Sequence, residues 1–279
     1  MSDQPEMQPH SDVVIVEIAD AVATMTINRP RKLNALNREV LDSLSVAFIA
    51  LEANDDVRVI VLAGSGGNFS AGYDISNSSV VAAPDSAGAH TYLSLEAALT
   101  MQLWSLSKPT IAAVEGWCLA GGFDLALACD LIVAADTAKF GMPEIRYGSG
   151  PVTLLLPFLM GQKAANKMLF TGDTYTAADV LELGLINDVV AADELEAEVA
   201  RLAERITPTP LPILKFTKLG LIRAYEAMGL RQAVQSNLDL SAILNKAYTD
   251  EGAEFFRIVE AEGLTAALKW RDSRYGTGL

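Results

Sequence analysis

The chain has 279 residues, is 51 % hydrophobic and 20 % charged, and carries a formal net charge of −14. That balance allows a sizeable core in one large domain or a domain with an appendage, and the negative charge excludes nonspecific nucleic-acid binding and attraction to anionic membranes. Cys118 and Cys129 sit in apolar surroundings and read as buried thiols, two histidines are too few for a histidine-rich metal site, and no signal peptide or membrane-length apolar run stands out, so a soluble cytoplasmic protein is expected.

In chain order, residues 1–11 are polar and expected to be disordered. Residues 13–18 and 21–28 are strand-like runs joined by Ala19-Asp20 and read as a hairpin. A loop holding Arg29, Arg31 and Lys32 follows, with Asn34 or Asn37 as the cap of a helix reaching about Ala53. Val40, Leu41, Leu44 and Phe48 recur there at helical spacing. Residues 57–62 read as a buried strand, and a glycine turn leads to Phe69-Ser-Ala-Gly-Tyr-Asp74. Residues 76–89 are small and polar, which suggests a mobile loop. A helix over 91–107 ends at Lys108-Pro109. Residues 110–114 read as a strand, 117–124 as a glycine turn, 124–128 as a helix and 131–135 as a strand. Residues 138–141 are extended, 151–160, 162–170 and 177–183 helical, and 185–190 extended. After Asp193 the pattern is helical, over 193–206, 212–228, 230–247 and 250–270. The chain therefore divides into residues 12–192, an α/β part, and 193–279, a helical part.

The stretch Trp117-Cys-Leu-Ala-Gly-Gly-Phe-Asp124 carries the chemistry. Glycines between a strand and a helix let a ligand approach the backbone and leave the first helical N–H groups unpaired at the positive end of the dipole. The stretch reads as half of an oxyanion hole beside a carboxylate, and equally as a turn built for tight packing. Ala71-Gly72-Tyr73-Asp74 has similar features, which makes the N–H groups of Tyr73 and Gly121 candidate donors to a thioester enolate. Glu144 lies on a segment that can return it beside Asp124. Two acids in one apolar pocket do not both ionise easily, which supplies an acid and a base. By itself, Glu144 after Pro143 also fits a helix-start acid. Asp130 reads as a structural acid, Asp74 as a stabiliser of the Tyr73 turn, and His90 as a surface residue. Trp117 and Tyr147 fit either core packing or the wall of a pocket. Arg31, with Arg29 and Lys32, is a candidate phosphate contact or a solvated cluster. Lys269, Arg271 and Arg274 around Trp270 and Tyr275 could hold an adenine and phosphate or simply end a helix. No P-loop, dinucleotide fingerprint or nucleophile elbow is present.

Taken together, these motifs resemble the crotonase superfamily, the enoyl-CoA hydratase/isomerase family. The carrying stretches are Asn28-Arg-Pro with Leu33-Asn-Ala-Leu36, Val59-Ile-Val-Leu-Ala-Gly64, Phe69-Ser-Ala-Gly-Tyr-Asp-Ile75, Ala120-Gly-Gly-Phe-Asp-Leu-Ala126 and Cys129-Asp-Leu-Ile132. Ala138-Lys-Phe-Gly141, Pro143-Glu-Ile145, Leu169-Phe-Thr-Gly172 and Gly184-Leu-Ile-Asn187 continue the match in order and spacing. The resemblance implies an α/β spiral of ββα repeats with a helical C-terminal trimerisation region, an acyl-CoA substrate, no separate cofactor or metal, and homotrimers that pair as hexamers. It places the oxyanion-hole amides on Tyr73 and Gly121 and the two catalytic acids on Asp124 and Glu144. It places Arg31, Ala35, Leu36, Ala71, Gly72, Asp74 and Ile75 in CoA-contacting segments, Trp117, Gly122, Pro143 and Tyr147 around the pocket, and Tyr275 near an aromatic that covers CoA.

Several departures bear on the activity. Asp124 stands where hydratases have Glu, about 1.5 Å shorter in reach. Some dienoyl-CoA isomerases of the family carry Asp there, but they need another Asp where this chain has Val152. Tyr73 replaces a common Ala, and the segment 146–151 lacks the usual Gly-Gly-Thr-Gln-Arg-Leu ending. The leading expectation is enoyl-CoA hydration. A double-bond isomerase or CoA-ester C–C hydrolase is second, and a non-catalytic acyl-CoA-binding protein third.

Overall fold

The computed structural model describes residues 12–75 and 78–276; the disorder expected for residues 1–11 lies outside them. β1 (Val14–Ala19) and β2 (Val22–Ile27) form the anticipated hairpin, turned by Asp20 and Ala21, both with positive φ. α1 (Arg38–Ala53) is capped by Asn37, whose side chain accepts from the Val40 N–H. Asn34 is instead fully buried, donating to the carbonyls of Ser65 and Asn68 and tying two loops together. β3 (Val59–Gly64) follows, then α2 (Ser79–Ala82) and α3 (Ser86–Trp104).

This corrects the expected loop over 76–89. α2 is capped by Ser78, and α3 begins at an Asp85 cap that accepts from the Gly88 N–H. Small residues hid the start of α3, because Ser-Ala-Gly-Ala gives no apolar periodicity.

β4 (Thr110–Val114), β5 (Trp117–Leu119), α4 (Gly121–Ala128), β6 (Leu131–Ala135) and β7 (Lys139–Gly141) come next. The helix expected over 151–160 shrinks to α5 (Leu156–Leu159), since Leu154 takes a positive φ that interrupts the run. α6 (Gln162–Thr171), β8 (Tyr175–Thr176), α7 (Ala177–Glu182) and β9 (Asp188–Val190) complete the α/β part. α8 (Leu195–Ile206), α9 (Leu211–Ala227) and α10 (Leu230–Leu244) match the helical reading. The last expected helix is two, α11 (Asp250–Glu262) and α12 (Leu264–Ser273), broken at Gly263.

The main sheet runs β1-β2-β3-β4-β6-β9, antiparallel only between β1 and β2. Its central strands are buried on both faces, which is why they read as unbroken apolar runs. Ile60, Leu62, Ala112 and Ile132 face the core shared with α1, α3 and α4. Val59, Val61, Ile111 and Val133 pack under α8 through Leu195, Val199 and Ala203. A second, smaller sheet runs β5-β7-β8, with Ser70 bridged in parallel to Cys118 beside β5. The repeating unit is thus a main-sheet strand, a short strand of the small sheet and a helix: β4-β5-α4, then β6-β7-α5. Asp130 is structural, as read: it accepts from the Thr110 N–H at 2.7 Å and pairs with Lys218 at 2.7 Å.

Candidate active site

The small sheet assembles the site. Ser70, Cys118 and Phe140 lie side by side in three parallel segments. Just past the C-terminal ends of those segments come Tyr73, then Gly121 and Asp124, then Glu144. Parallel neighbours send their C-terminal extensions to the same edge, the usual place for ligands in such sheets.

Tyr73 is held by Leu36. The Leu36 N–H donates to the Gly72 carbonyl at 2.8 Å, and the Asp74 N–H donates to Leu36 at 3.0 Å. The Ala71 N–H donates to Leu33 at 2.9 Å. Arg29 braces the turn, donating to the Ala35 carbonyl and pairing with Asp74 at 3.2 Å. The Tyr73 N–H itself has no acceptor among the described residues.

Gly121 opens α4, so its N–H has no intrahelical partner. The two loops abut there. Gly72 has φ +94, and a side chain on it would lie 3.3 Å from the Gly121 N and 2.9 Å from the Leu119 carbonyl. A side chain on Gly121 would lie 2.3 Å from the Tyr73 ring, which therefore covers that glycine. One on Gly122 would strike Ser70. The preceding Ala120 is strained, with φ 47 and ψ −124, and its N–H donates to the Gly141 carbonyl at 2.9 Å. That bend turns the first amides of α4 outward.

Asp124 is 1 % exposed, and neither carboxylate oxygen has a hydrogen-bond partner among the described residues. Burial pushes its pKa up to about 6, opposed by the neighbouring Thr153 side chain and amide. Glu144 is 5 % exposed on a 3-10 turn, Pro143–Tyr147, with Oε2 unpartnered. Burial, and more weakly the Asp124 charge, raise it to about 8, opposed by its own backbone N–H and, least, by Arg271. The two acids lie near enough for the charge of one to act on the other.

Arg146 pins the Glu144 turn. It donates to the Thr171 carbonyl at 2.8 Å, pairs with Asp173 at 2.6 Å and lies 4.6 Å from the centroid of the Tyr275 ring. Tyr147 stacks on Phe255 at 5.2 Å, the packing role the sequence offered for it, and lies near enough to Glu144 and Glu96 to feel their charges. Ile75 packs with the same group of C-terminal side chains.

Other candidates stand further off. Trp117 serves through its backbone, its N–H donating to Asn68 and its carbonyl accepting from Ser70. Arg31 is exposed on a 3-10 turn, Pro30–Lys32. Pro143 borders an open cleft of about 660 Å³ behind the Glu144 turn, shared with Arg146, Lys167, Tyr175 and Arg271. In the C-terminal cluster, Arg271 is buried against Asp272 at 2.7 Å and Arg274 lies over Trp270 at 5.0 Å. His90 lies on α3, 3.1 Å from Asp239, rather than in a loop. Among the described residues, no group of three His, Cys, Asp or Glu side chains is arranged to hold a metal.

Three residues escaped the sequence reading. Thr153 faces Asp124, Arg271 faces Glu144, and Glu96 of α3 acts on Asp124 and Tyr73. Arg271 appeared in the sequence only as part of a basic tail. Glu96 carried a signal of its own, an acid within an otherwise apolar stretch of helix.

The family model described as Enoyl-CoA hydratase/isomerase matches residues 17–260. A crotonyl-CoA hydratase of Syntrophomonas wolfei is 32 % identical over 267 residues, covering 94 % of this chain and 97 % of its own. A probable enoyl-CoA hydratase of Mycobacterium bovis is 35 % identical over 219 residues, covering 77 % of this chain and 83 % of its own. The crystal structure of an enoyl-CoA hydratase/isomerase from Xanthobacter autotrophicus superposes with a TM-score of 0.90 at 36 % identity, covering 94 % of this chain and 98 % of that one.

Proposed function

The chain belongs to the enoyl-CoA hydratase/isomerase family, and on that premise we propose that it is an enzyme adding water reversibly across the 2,3 double bond of an enoyl-CoA thioester. The observation that carries the reading is two adjacent loop amides, Tyr73 and Gly121, without an acceptor among the described residues, on the same edge of the small sheet as two buried acids, Asp124 and Glu144, whose charges act on one another. The amides receive the thioester oxygen and grow stronger as it becomes an enolate oxyanion. Glu144 and Asp124 hold a water between them. One takes its proton as the oxygen bonds C3, and a proton is delivered to C2.

Backbone donors meet the enolate charge, so the reaction calls for no metal or redox cofactor, and CoA is part of the substrate. The CoA end runs past Arg31, Ala35, Leu36, Ala71, Gly72, Asp74 and Ile75. Trp117, Gly122, Pro143 and Tyr147 border the acyl end, and Tyr275 contributes from the C-terminus. The working form is a cytoplasmic homotrimer, paired into a hexamer. In support, α9 and α10 leave Phe216, Ile213, Leu240 and Ile243 exposed.

Crotonyl-CoA tests the activity through loss of its conjugated-thioester absorbance. Glu144→Gln is expected to lower turnover by about 10²-fold or more. Turnover unchanged in that variant, or binding without turnover in the wild type, removes the reading. The shorter Asp124 favours one second reading, in which Glu144 alone carries a proton between carbons and the double bond shifts. Product free of solvent-derived ¹⁸O would select it.

A further inference from the structure

We infer that Asn237, with Ser241 and Asn245 further along α10, is a positioning residue for Glu144, because it fastens the loop that leaves the Glu144 turn. The inference rests on the hydration reading above, in which Glu144 meets the substrate, and adds the part of the chain that holds that acid in place.

The 3-10 turn carrying Glu144 ends at Gly148, with φ +94, and the chain then runs to Leu154 without helix or strand. The Ser149 N–H donates to the Glu144 carbonyl at 3.1 Å, so the loop is tied to the acid's own backbone. Beyond Ser149 the loop has little support of its own. Pro151 has no N–H, and no backbone amide donates to the carbonyls of Pro151 or Val152 among the described residues. Val152 is buried, and a carbonyl withdrawn from water needs a donor. The loop closes on Leu154, whose φ of 50 persists only where its surroundings hold it.

The donors come from α10. The Asn237 side-chain amide donates to the Pro151 carbonyl at 2.8 Å and to the Val152 carbonyl at 3.1 Å. The Ser241 hydroxyl donates to the Pro151 carbonyl at 3.3 Å. Asn245 accepts from the Ser149 hydroxyl at 3.2 Å, while its own amide is anchored on the Ser241 carbonyl at 2.8 Å. Residues spaced by four form one stripe along a helix, so all three face the loop together. Gly150 lies flush against the stripe: a Cβ there would stand 3.3 Å from Leu244 Cδ2.

This stripe fixes the register of the loop. Sliding the loop along α10 would break the Asn237 and Ser241 bonds at once and leave two carbonyls without donors. The opposite side of the turn is held by Arg146 on Asp173 and by Tyr147 on Phe255. Glu144 is therefore set between two braces, and α10 is the one built from neutral hydrogen bonds. Asp124 has the shorter side chain of the acid pair, so Glu144 has to be placed where both can reach the same water. A misplacement of about 1 Å costs about 10²-fold in rate.

Asn237→Leu removes the donor with little change of volume. Steady-state hydration of crotonyl-CoA, a thermal melt and hydrogen–deuterium exchange would compare it with the wild type as full chains. In the variant kcat is expected to fall about tenfold or more with KM within about twofold, and exchange to quicken over residues 143–155 alone. Asn245→Ala, which frees only Ser149, should act in the same direction by about threefold, and it decides the matter if Asn237→Leu does not fold. An unchanged kcat, or unchanged exchange over 143–155, overturns the inference. So does faster exchange across the whole chain with kcat and KM worsened together, since Asn237 then serves stability alone. A wild type that does not hydrate crotonyl-CoA overturns the hydration reading instead, and the exchange over 143–155 then decides this inference by the same criteria.

Discussion

Asp124 and Glu144 are alike in chemistry and differ in surroundings. Both are driven towards neutrality by burial, to about 6 and about 8, with Thr153 restraining the first, and the second restrained by its own backbone N–H and, more weakly, by Arg271. A hydration that needs one proton on the pair is then fastest between those values. Below about 6 both acids are protonated. Above about 8 both ionise, and Glu96 ionises in the same range. The profile of kcat/KM against pH should be bell-shaped, and a flat profile from pH 5 to 9 would remove the pair from the chemistry. Ala120 makes a separate point. Its strained backbone aims the Gly121 amide, and glycine adopts that conformation without steric cost. After the entropy that glycine adds to the unfolded chain, Ala120→Gly should stabilise by roughly 1 kcal/mol and raise Tm by about 2 °C, with crotonyl-CoA turnover retained. A lower Tm in a thermal melt would show that the bend carries no strain.

At the scale of elements, the site depends on short pieces of chain. β5 and β7 are three residues each, and the third segment is a single bridge at Ser70. Trp-Cys-Leu before a glycine reads as part of a turn, because its strand character exists only alongside Phe140 and Ser70. α12 belongs to the same assembly although it is distant in sequence. Its Arg271 lowers the Glu144 pKa, so Arg271→Gln should raise it further. The alkaline limb of the pH profile should move to higher pH while the acid limb, set by Asp124, stays in place. A limb that does not move would mean that Arg271 serves only Asp272, its partner at 2.7 Å.

For the whole molecule, the exposed side chains are as informative as the buried ones. Phe216 on α9 is 73 % exposed and Leu240 on α10 is 63 % exposed, beside Ile213 and Ile243. Such outward apolar faces fit the proposed trimer. Phe216→Glu is expected to shift the protein towards monomer in light scattering and to lower its Tm. A wild-type protein that is monomeric at micromolar concentration would refute the assembly. The acid pair also makes folding depend on pH. Carboxyls whose folded pKa is raised contribute most stability at low pH and lose it as pH rises from about 4.5 towards about 8. Glu144→Gln should therefore gain Tm over the wild type at pH 8, and gain little at pH 5.

The sequence determined the family, the apolar strands and most of the helices, and it singled out the two acids and two amide-bearing residues on which the proposed reaction rests, because periodicity, caps and motif order are properties of neighbouring residues. It did not reveal the start of α3 at Asp85, where small side chains carry no period, or the break at Gly263. Only the tertiary structure brought Thr153, Arg271 and Glu96 to the acids, and only it gave Asp124 and Glu144 their unequal pKa values. The physical reason is that desolvation and charge act through space. The neighbours that set a buried carboxyl's proton affinity are chosen by how α3, α4, α12 and the small sheet pack, and residues so far apart along the chain leave no local pattern to read.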